Sequence, residues 1–268
     1  MTTALPRRTT RATATLAVAA SATVALTACS TGTAATSDGE ADTTLTVFAA
    51  ASLTAAFDEI AMDFEADHPG VEVRLSLAGS SNLVAQVQQG APADVVATAD
   101  TATMNTLVAD ELVGTPQAFA TNTLEIAVPA GNPAGIADLQ DLTDPTVNLV
   151  VCAPEVPCGA ATTAVVDHAG LTLQPVSEEQ SVTDVLGKVS AGEADAGLVY
   201  VTDVTRAGDQ VEGIAFDESD AAVNTYPIAT VDRTGQNPDQ ADLAQQFVDA
   251  VLSPDSQAVL AHLGFTAP

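Results

Sequence analysis

The feature that most constrains the fold of this chain is an alternation of strand and helix patterns between residues 44 and 98. Three segments, residues 44–48, 71–77 and 93–98, have the apolar or alternating pattern of strands. Apolar residues at helical spacing fill the intervals between them. A β-α-β-α-β series of this kind is typical of a mostly parallel, doubly wound sheet.

Two of these strand patterns end on a serine directly before a helix pattern. The sequences are VFAAASL at residues 47–53 and AGSSNL at residues 78–83, with Ser52 and Ser80 at the junctions. A helix start leaves backbone N–H groups without intrahelical partners, and the serine adds a hydroxyl. The two junctions therefore predict an oxyanion site. The competing interpretation is that both serines are ordinary helix N-caps.

The rest of the chain continues the alternation and predicts a second lobe. Strand patterns occupy residues 124–129, 148–152, 197–200 and 225–231, and helix patterns occupy residues 159–168, 182–189, 240–252 and 254–263. We expect one lobe from residues 44–123 plus 225–268 and another from residues 124–224. A ligand cleft would then lie between the lobes, at the carboxyl ends of the strands.

The N-terminal segment, residues 1–28, has the pattern of an export signal. Three arginines precede an apolar stretch that is too short for a stable membrane span. The stretch ends in LTAC, which resembles the lipobox of bacterial lipoproteins and implies a lipid on Cys29 at the outer face of the cell membrane. The alternatives are a simple cleaved signal or a twin-arginine signal at Arg7-Arg8. Residues 29–43 predict a flexible tether.

The chain is strongly acidic, with 35 acidic and seven basic residues and a net charge of −28. Three of the basic residues belong to residues 1–28, so without that segment the charge is near −31. This balance disfavours nucleic acid and anionic membrane surfaces as partners, since both require clustered cations. An anion site in this chain would depend on neutral N–H and O–H donors.

Other reactive side chains give weaker signals. Cys152 and Cys158, with two prolines between them in an exported protein, favour a local disulfide over two free thiols. The three histidines are far apart in sequence, which disfavours a metal site. A serine hydrolase is also disfavoured, because residues 79–83 lack the second glycine of a nucleophile elbow and no histidine has an evident aspartate partner.

Several short motifs together resemble the molybdate-binding proteins of bacterial ABC transporters. Besides the two serine segments they are GAPAD at 90–94, PEVPCG at 154–159, GLVY at 197–200 and GFT at 264–266. The resemblance covers nearly all of residues 44–267. It implies a two-lobe periplasmic-binding-protein fold (type II) that closes on molybdate or tungstate and delivers it to a membrane permease. It also implies a monomer without a cofactor or catalytic activity.

The resemblance further implies five ligand residues: Ser52, Ser80, Cys158, Val182 and Tyr200. The serines would supply hydroxyl and backbone N–H groups, the tyrosine its hydroxyl, and the other two only backbone N–H groups. Cys158 departs from the alanine that the family often has there, and Ser181 and Thr183 remain alternatives to Val182. Sulfate is the alternative ligand, because it is also fully ionised, whereas phosphate retains a proton that needs an acceptor.

Overall fold

The computed structural model describes residues 43–268, which form two five-stranded sheets flanked by helices. The strands are β1 (Thr43–Ala50), β2 (Val71–Ala78), β3 (Val95–Ala97), β4 (Gln117–Asn122), β5 (Leu124–Pro129), β6 (Leu149–Cys152), β7 (Ser177–Glu179), β8 (Ala196–Tyr200), β9 (Val211–Ile214) and β10 (Asn224–Thr230). The helices are α1 (Thr54–Asp67), α2 (Ser80–Gln88), α3 (Thr101–Ala109), α4 (Pro157–Ala169), α5 (Val182–Ser190), α6 (Val201–Ala207), α7 (Pro238–Val251) and α8 (Pro254–His262). The predicted signal segment, Cys29 and nearly all of the predicted tether lie outside the described residues.

The first sheet has the order β2-β1-β3-β10-β4 and defines the first lobe. Helix α1 forms there because its apolar side chains recur at helical spacing and share one face, from Ala56 and Phe57 to Phe64. That face packs into a core containing Phe119 and Phe247, whose rings contact those of α1. The packing fixes the start of α1 against the end of β1.

The second sheet has the order β7-β6-β8-β5-β9 and defines the second lobe. Its core is mainly aliphatic and includes Val150, Val185 and Leu198, which are nearly inaccessible to solvent. Helix α5 presents its buried valines and leucine to this sheet. The chain enters the second lobe between β4 and β5 and returns between β9 and β10.

The predicted two-lobe α/β fold is confirmed, but the sheets are mixed rather than mostly parallel. In the first sheet β1 runs parallel to β2 and β3, whereas β10 is antiparallel to β3 and β4. In the second, β6 runs parallel to β7 and β8, whereas β5 is antiparallel to β8 and β9. The reason is that β5 and β10 each arrive from the other lobe. They therefore begin at the edge where their parallel neighbours end.

Three strands and two helices were not predicted, namely β4, β7, β9, α3 and α6. The apolar residues of α3 do not form one clear face of a helix, and its buried side chains are Met104 and Leu107. Strands β7 and β9 are edge strands of three and four residues, too short to show an alternation. Within residues 43–268, no helix has the length and apolar character needed to cross a bilayer.

Candidate anion-binding site

The five predicted ligand residues line one cavity between the two lobes. Ser52 and Ser80 come from the first lobe, and Cys158, Val182 and Tyr200 come from the second. The cavity encloses about 230 Å³ of atom-free space, its mouth included. This space is small, so the cavity suits a small ion or molecule.

Three α-helices begin at the cavity wall. Helix α2 starts at Ser80, α5 at Val182, and α4 at Pro157 with Cys158 as its second residue. The first N–H groups of a helix have no intrahelical acceptor, and the helix dipole places partial positive charge there. Ser181 is the N-cap of α5, since its Oγ accepts from the N–H of Asp184 at 3.3 Å. The cavity is thus surrounded by backbone donors without formal charge.

Neither cavity serine is a helix N-cap, so that interpretation is wrong for both. The cap positions of α1 and α2 belong to Leu53 and Gly79, and neither helix has a side-chain cap. Ser80 Oγ instead accepts from the backbone N–H of Ala99 at 3.0 Å, and Ser52 Oγ lies 3.0 Å from Tyr226 Oη. Both serines are almost fully buried.

The hydroxyl of Tyr200 is buried at the cavity wall and has no hydrogen-bond partner among the described residues. Burial raises the pKa of this phenol well above its usual value, and Tyr226, Asp100 and Asp203 raise it further. The group therefore keeps its proton and can act as a donor. An unsatisfied buried hydroxyl costs about 1–3 kcal/mol, so this position favours a ligand that accepts a hydrogen bond.

All basic side chains in the described part of the chain are paired with carboxylates. The pairs are Arg74–Glu72, Lys188–Glu179, Arg206–Asp203 and Arg233–Asp94. No lysine or arginine within residues 43–268 lines the cavity. These residues also contain no group of three or more His, Cys, Asp or Glu side chains that could hold a metal ion. The donors at the wall are consequently neutral.

A disulfide lies beside the cavity. The Sγ atoms of Cys152 and Cys158 are 2.06 Å apart. This disulfide joins the end of β6 to the first turn of α4. Gly159 follows, and a Cβ there would lie 1.8 Å from the carbonyl oxygen of Ala153. A side chain at this position would collide with the loop. The close approach and the disulfide together hold the start of α4 at the cavity wall.

The two lobes touch each other beside the cavity. A Cβ on Gly79 would lie only 2.1 Å from the carbonyl oxygen of Gln180, and both residues line the cavity. Close by, Ser81 Oγ donates to the carbonyl oxygen of Glu155 at 2.9 Å. Helix α2 of the first lobe therefore meets the loops before α4 and α5 of the second. The lobes are closed around the cavity in this structure.

Sequence reasoning missed three residues of the site and its surroundings. Tyr226 contacts Ser52 across 174 positions of sequence, a distance at which no local pattern is informative. Gln180 precedes an N-cap and has no distinctive signal of its own. Gly79 did carry a signal, because a glycine at a strand end often marks a close backbone approach.

Asp203 is a fully buried acid behind the cavity. Its carboxylate accepts from the backbone N–H of Tyr200 at 3.2 Å and pairs with Arg206 at 3.2 Å. Burial raises the pKa of Asp203 from 3.8 to about 6, although Arg206 and the Tyr200 N–H oppose the rise. Asp203 therefore fixes the backbone of Tyr200, although burial makes its charged carboxylate less favourable than in water.

We expect an Asp203→Asn variant to remove a pH dependence of stability. Below pH 3.8 the acid is protonated in both the folded and unfolded states, and its contribution to stability is fully present. As the pH rises through about 6, the unfolded state loses the proton first and that contribution is lost. The free energy of unfolding of the native protein, relative to the variant, should fall by about 2 kcal/mol between pH 4.5 and 7. Urea titrations at both pH values measure the difference, and a constant difference would contradict the prediction.

Two lobes that close on a small cavity lined by neutral donors are the architecture of a solute-binding protein. The sequence matches the model of the family described as bacterial extracellular solute-binding protein over residues 45–266. The molybdate-binding protein ModA of Mycobacterium tuberculosis (strain ATCC 25618 / H37Rv) is 49% identical over 225 residues, which cover 84% of this chain and 85% of that protein. The chain therefore belongs to the bacterial extracellular solute-binding proteins and, within them, to the molybdate-binding protein family. The family resemblance carried by the sequence motifs is confirmed.

Solved structures share the fold. The Azotobacter vinelandii periplasmic molybdate-binding protein has a TM-score of 0.69 at 20% identity, over 84% of this chain and 99% of that chain. The sulfate-binding protein SubI from Mycobacterium tuberculosis H37Rv has a TM-score of 0.67 at 22% identity, over 84% of this chain and 87% of that chain. Since the names of these two proteins give different anions, the fold alone does not select the anion. The names of the family and of the relative at 49% identity describe solute-binding proteins.

Proposed function

We propose that this protein captures molybdate, and tungstate through the same donors, and delivers it to the permease of an ABC transporter. The observation that carries the proposal is the Tyr200 hydroxyl, which is buried and protonated in a cavity bordered by three helix starts and has no hydrogen-bond partner within residues 43–268. The choice of molybdate is supported by the name of the relative at 49% identity.

The donor set fits a fully deprotonated tetrahedral oxyanion. Such an ion only accepts hydrogen bonds, and we propose that it receives them from five residues: Ser52, Ser80, Cys158, Val182 and Tyr200. Each hydrogen bond to a charged group contributes about 1.5–3 kcal/mol. Helix starts add a favourable dipole term of about 0.3–1 kcal/mol each at exposed sites. These interactions act at short range, so they can hold an anion inside a strongly acidic protein.

We also propose that the protein acts as a lipid-anchored monomer outside the cytoplasm. The support is the LTAC sequence that ends at Cys29, followed by the polar tether of residues 29–43. A lipid on Cys29 would keep the binding lobes near the permease, and the tether would let them turn towards it. Recovery of a Cys29→Ser variant in the membrane fraction would contradict this anchor.

Calorimetric titration of the purified protein tests the ligand. We expect molybdate and tungstate to bind one ion per chain with similar affinity, sulfate to bind more weakly, and phosphate to give no heat at the same concentration. Phosphate is excluded because it brings a proton into a cavity of donors, whereas the other three ions only accept hydrogen bonds. The expected preference for molybdate over sulfate follows the name of the relative at 49% identity. Absence of molybdate binding would refute the proposal. Equal affinity for sulfate would refute the proposed selectivity for molybdate.

A further inference from the structure

Each cavity serine has one hydrogen-bond partner in the protein interior. Ser80 Oγ accepts from the N–H of Ala99, and an amide nitrogen can only donate, so the proton of Ser80 remains available to a ligand. Ser52 Oγ pairs with Tyr226 Oη, and either hydroxyl can be the donor in that pair. The direction of this hydrogen bond decides whether the Ser52 proton is available to the cavity, because a Ser52 that donates to Tyr226 has only lone pairs left for a ligand.

The surroundings of Tyr226 favour the phenol as donor. Its ring is completely buried and packs against Phe119, Tyr200 and Phe265, with centroid distances of 6.3, 6.0 and 5.4 Å. Ser52 Oγ lies 3.0 Å from the Tyr226 hydroxyl. Burial raises the pKa of this phenol, whereas the side chains of Asn122 and Tyr200, which are also near it, lower the pKa, which is the effect of hydrogen-bond donors. If Ser52 donated to Tyr226, the phenol proton would be left without an acceptor in a buried position, which is unfavourable.

We propose that Tyr226 is a positioning residue that donates to Ser52, directs the Ser52 proton into the cavity, and thereby makes the site select oxyanions without a proton. This inference rests on the proposed function, because it requires the anion to contact Ser52. The backbone N–H of Ala99 orients the Ser80 hydroxyl in the same way, so both serine oxygens already accept a hydrogen bond from the protein. The cavity then has donors for a fully ionised anion and a poor acceptor for a protonated one.

Hydrogen phosphate is the ion that this arrangement rejects. It resembles sulfate in size and shape but keeps one proton at neutral and mildly alkaline pH. To bind, its P–OH group needs an acceptor, but each serine oxygen already accepts one hydrogen bond from the protein and has its proton directed to the anion. A site whose buried polar groups are left unpaired by the wrong ligand discriminates strongly against it. Removing the phenol hydroxyl should therefore change selectivity as well as affinity.

A Tyr226→Phe variant tests the proposal, because it keeps the buried ring and removes only the hydroxyl. We expect its molybdate affinity to fall by about tenfold. We expect its affinity for phosphate relative to sulfate to rise by about tenfold, since the Ser52 hydroxyl then has no protein donor and can turn a lone pair to the P–OH group. Calorimetry measures molybdate, and displacement of molybdate by sulfate or phosphate at mildly alkaline pH gives the ratio. An unchanged ratio would overturn the proposal, whatever the change in molybdate affinity.

Tyr200→Phe is the matched control. It removes a hydroxyl that is proposed to contact the anion directly, so it should weaken molybdate, sulfate and phosphate alike and leave their ratios unchanged. A second test compares the Ser52→Ala variant with the Ser52→Ala/Tyr226→Phe double variant. With Ser52 removed, adding Tyr226→Phe should produce no further change in the ratio. A further change in the double variant would show that Tyr226 acts by another route.

The outcomes separate this inference from the proposed function. Failure of the unaltered protein to bind molybdate would refute the function. Normal molybdate binding by the unaltered protein, with the same anion ratios in Tyr226→Phe, would refute only the role of Tyr226. Thermal unfolding of each variant without ligand identifies any loss of fold, which would lower all affinities together.

Discussion

A Gly79→Ala variant is expected to lose about 10- to 100-fold in affinity for molybdate, in line with the roughly 1–3 kcal/mol cost of overpacking. The new Cβ would lie 2.1 Å from the carbonyl oxygen of Gln180, which is backbone and cannot move aside cheaply. The lobes would have to stay further apart, and the donors of the second lobe would no longer reach an anion held by the first. Calorimetry measures the affinity, and small-angle scattering measures whether the ligand still compacts the protein.

Gly187→Ala is the matched control for this variant. It makes the same chemical change on helix α5, where a new Cβ would have no described atom within 4 Å apart from its chain neighbours and the backbone of its own helix. We expect unchanged affinity and slightly higher stability, because alanine exceeds glycine in helix propensity by about 1 kcal/mol. If Gly79→Ala bound molybdate as the unaltered protein does, contact between Gly79 and Gln180 would not be part of the bound state.

Ser80→Ala is expected to affect binding and folding at the same time. The hydroxyl is proposed to donate to the anion, and its loss should weaken binding by about 1.5–3 kcal/mol, which is roughly 10- to 150-fold. The same oxygen accepts from the buried N–H of Ala99. Leaving that N–H unpaired should lower the free energy of unfolding by about 1–3 kcal/mol. Calorimetry and urea titration measure the two effects separately.

The control for Ser80→Ala is Ser190→Ala. Ser190 is exposed at the end of α5, where its hydroxyl donates to the carbonyl oxygen of Gly187 at 3.1 Å. Surface changes of this kind usually alter stability by less than about 0.5 kcal/mol, and no contact with the cavity is involved. A Ser80→Ala protein with the same affinity and stability as Ser190→Ala would remove Ser80 from the proposed site.

Local features made much of the site predictable. Helix starts and strand ends leave signals within a few residues, so Ser80 and Val182 were placed at helix starts from their neighbours alone. Strand β5 has the bounds expected from the sequence, because a short apolar run ends at Pro129 before a turn. The family resemblance then supplied the remaining members, and the structure brings all five residues to one cavity.

What sequence reasoning missed depends on contacts between distant segments. The partner of Ser52 is Tyr226, on a strand that returns from the other lobe, and the partner of Ser80 is a backbone N–H. The residues next to each serine do not indicate such partners, so the sequence alone also allowed both serines to be N-caps. The antiparallel pairing of β5 and β10 was missed for a related reason. It follows from where the chain crosses between lobes, which residue patterns do not encode.

The pairing of every described cation with a carboxylate bears on how cargo would leave the cavity. A lysine or arginine at the wall would attract an anion strongly, but departure would then separate two opposite charges. With neutral walls, opening the lobes replaces each lost hydrogen bond with one to water, and no counter-charge is left behind. In the proposed function, the protein must release its anion in each transport cycle. The neutral donors of the two lobes surround an anion only while the lobes are closed, so we expect opening of the lobes to be sufficient to release it.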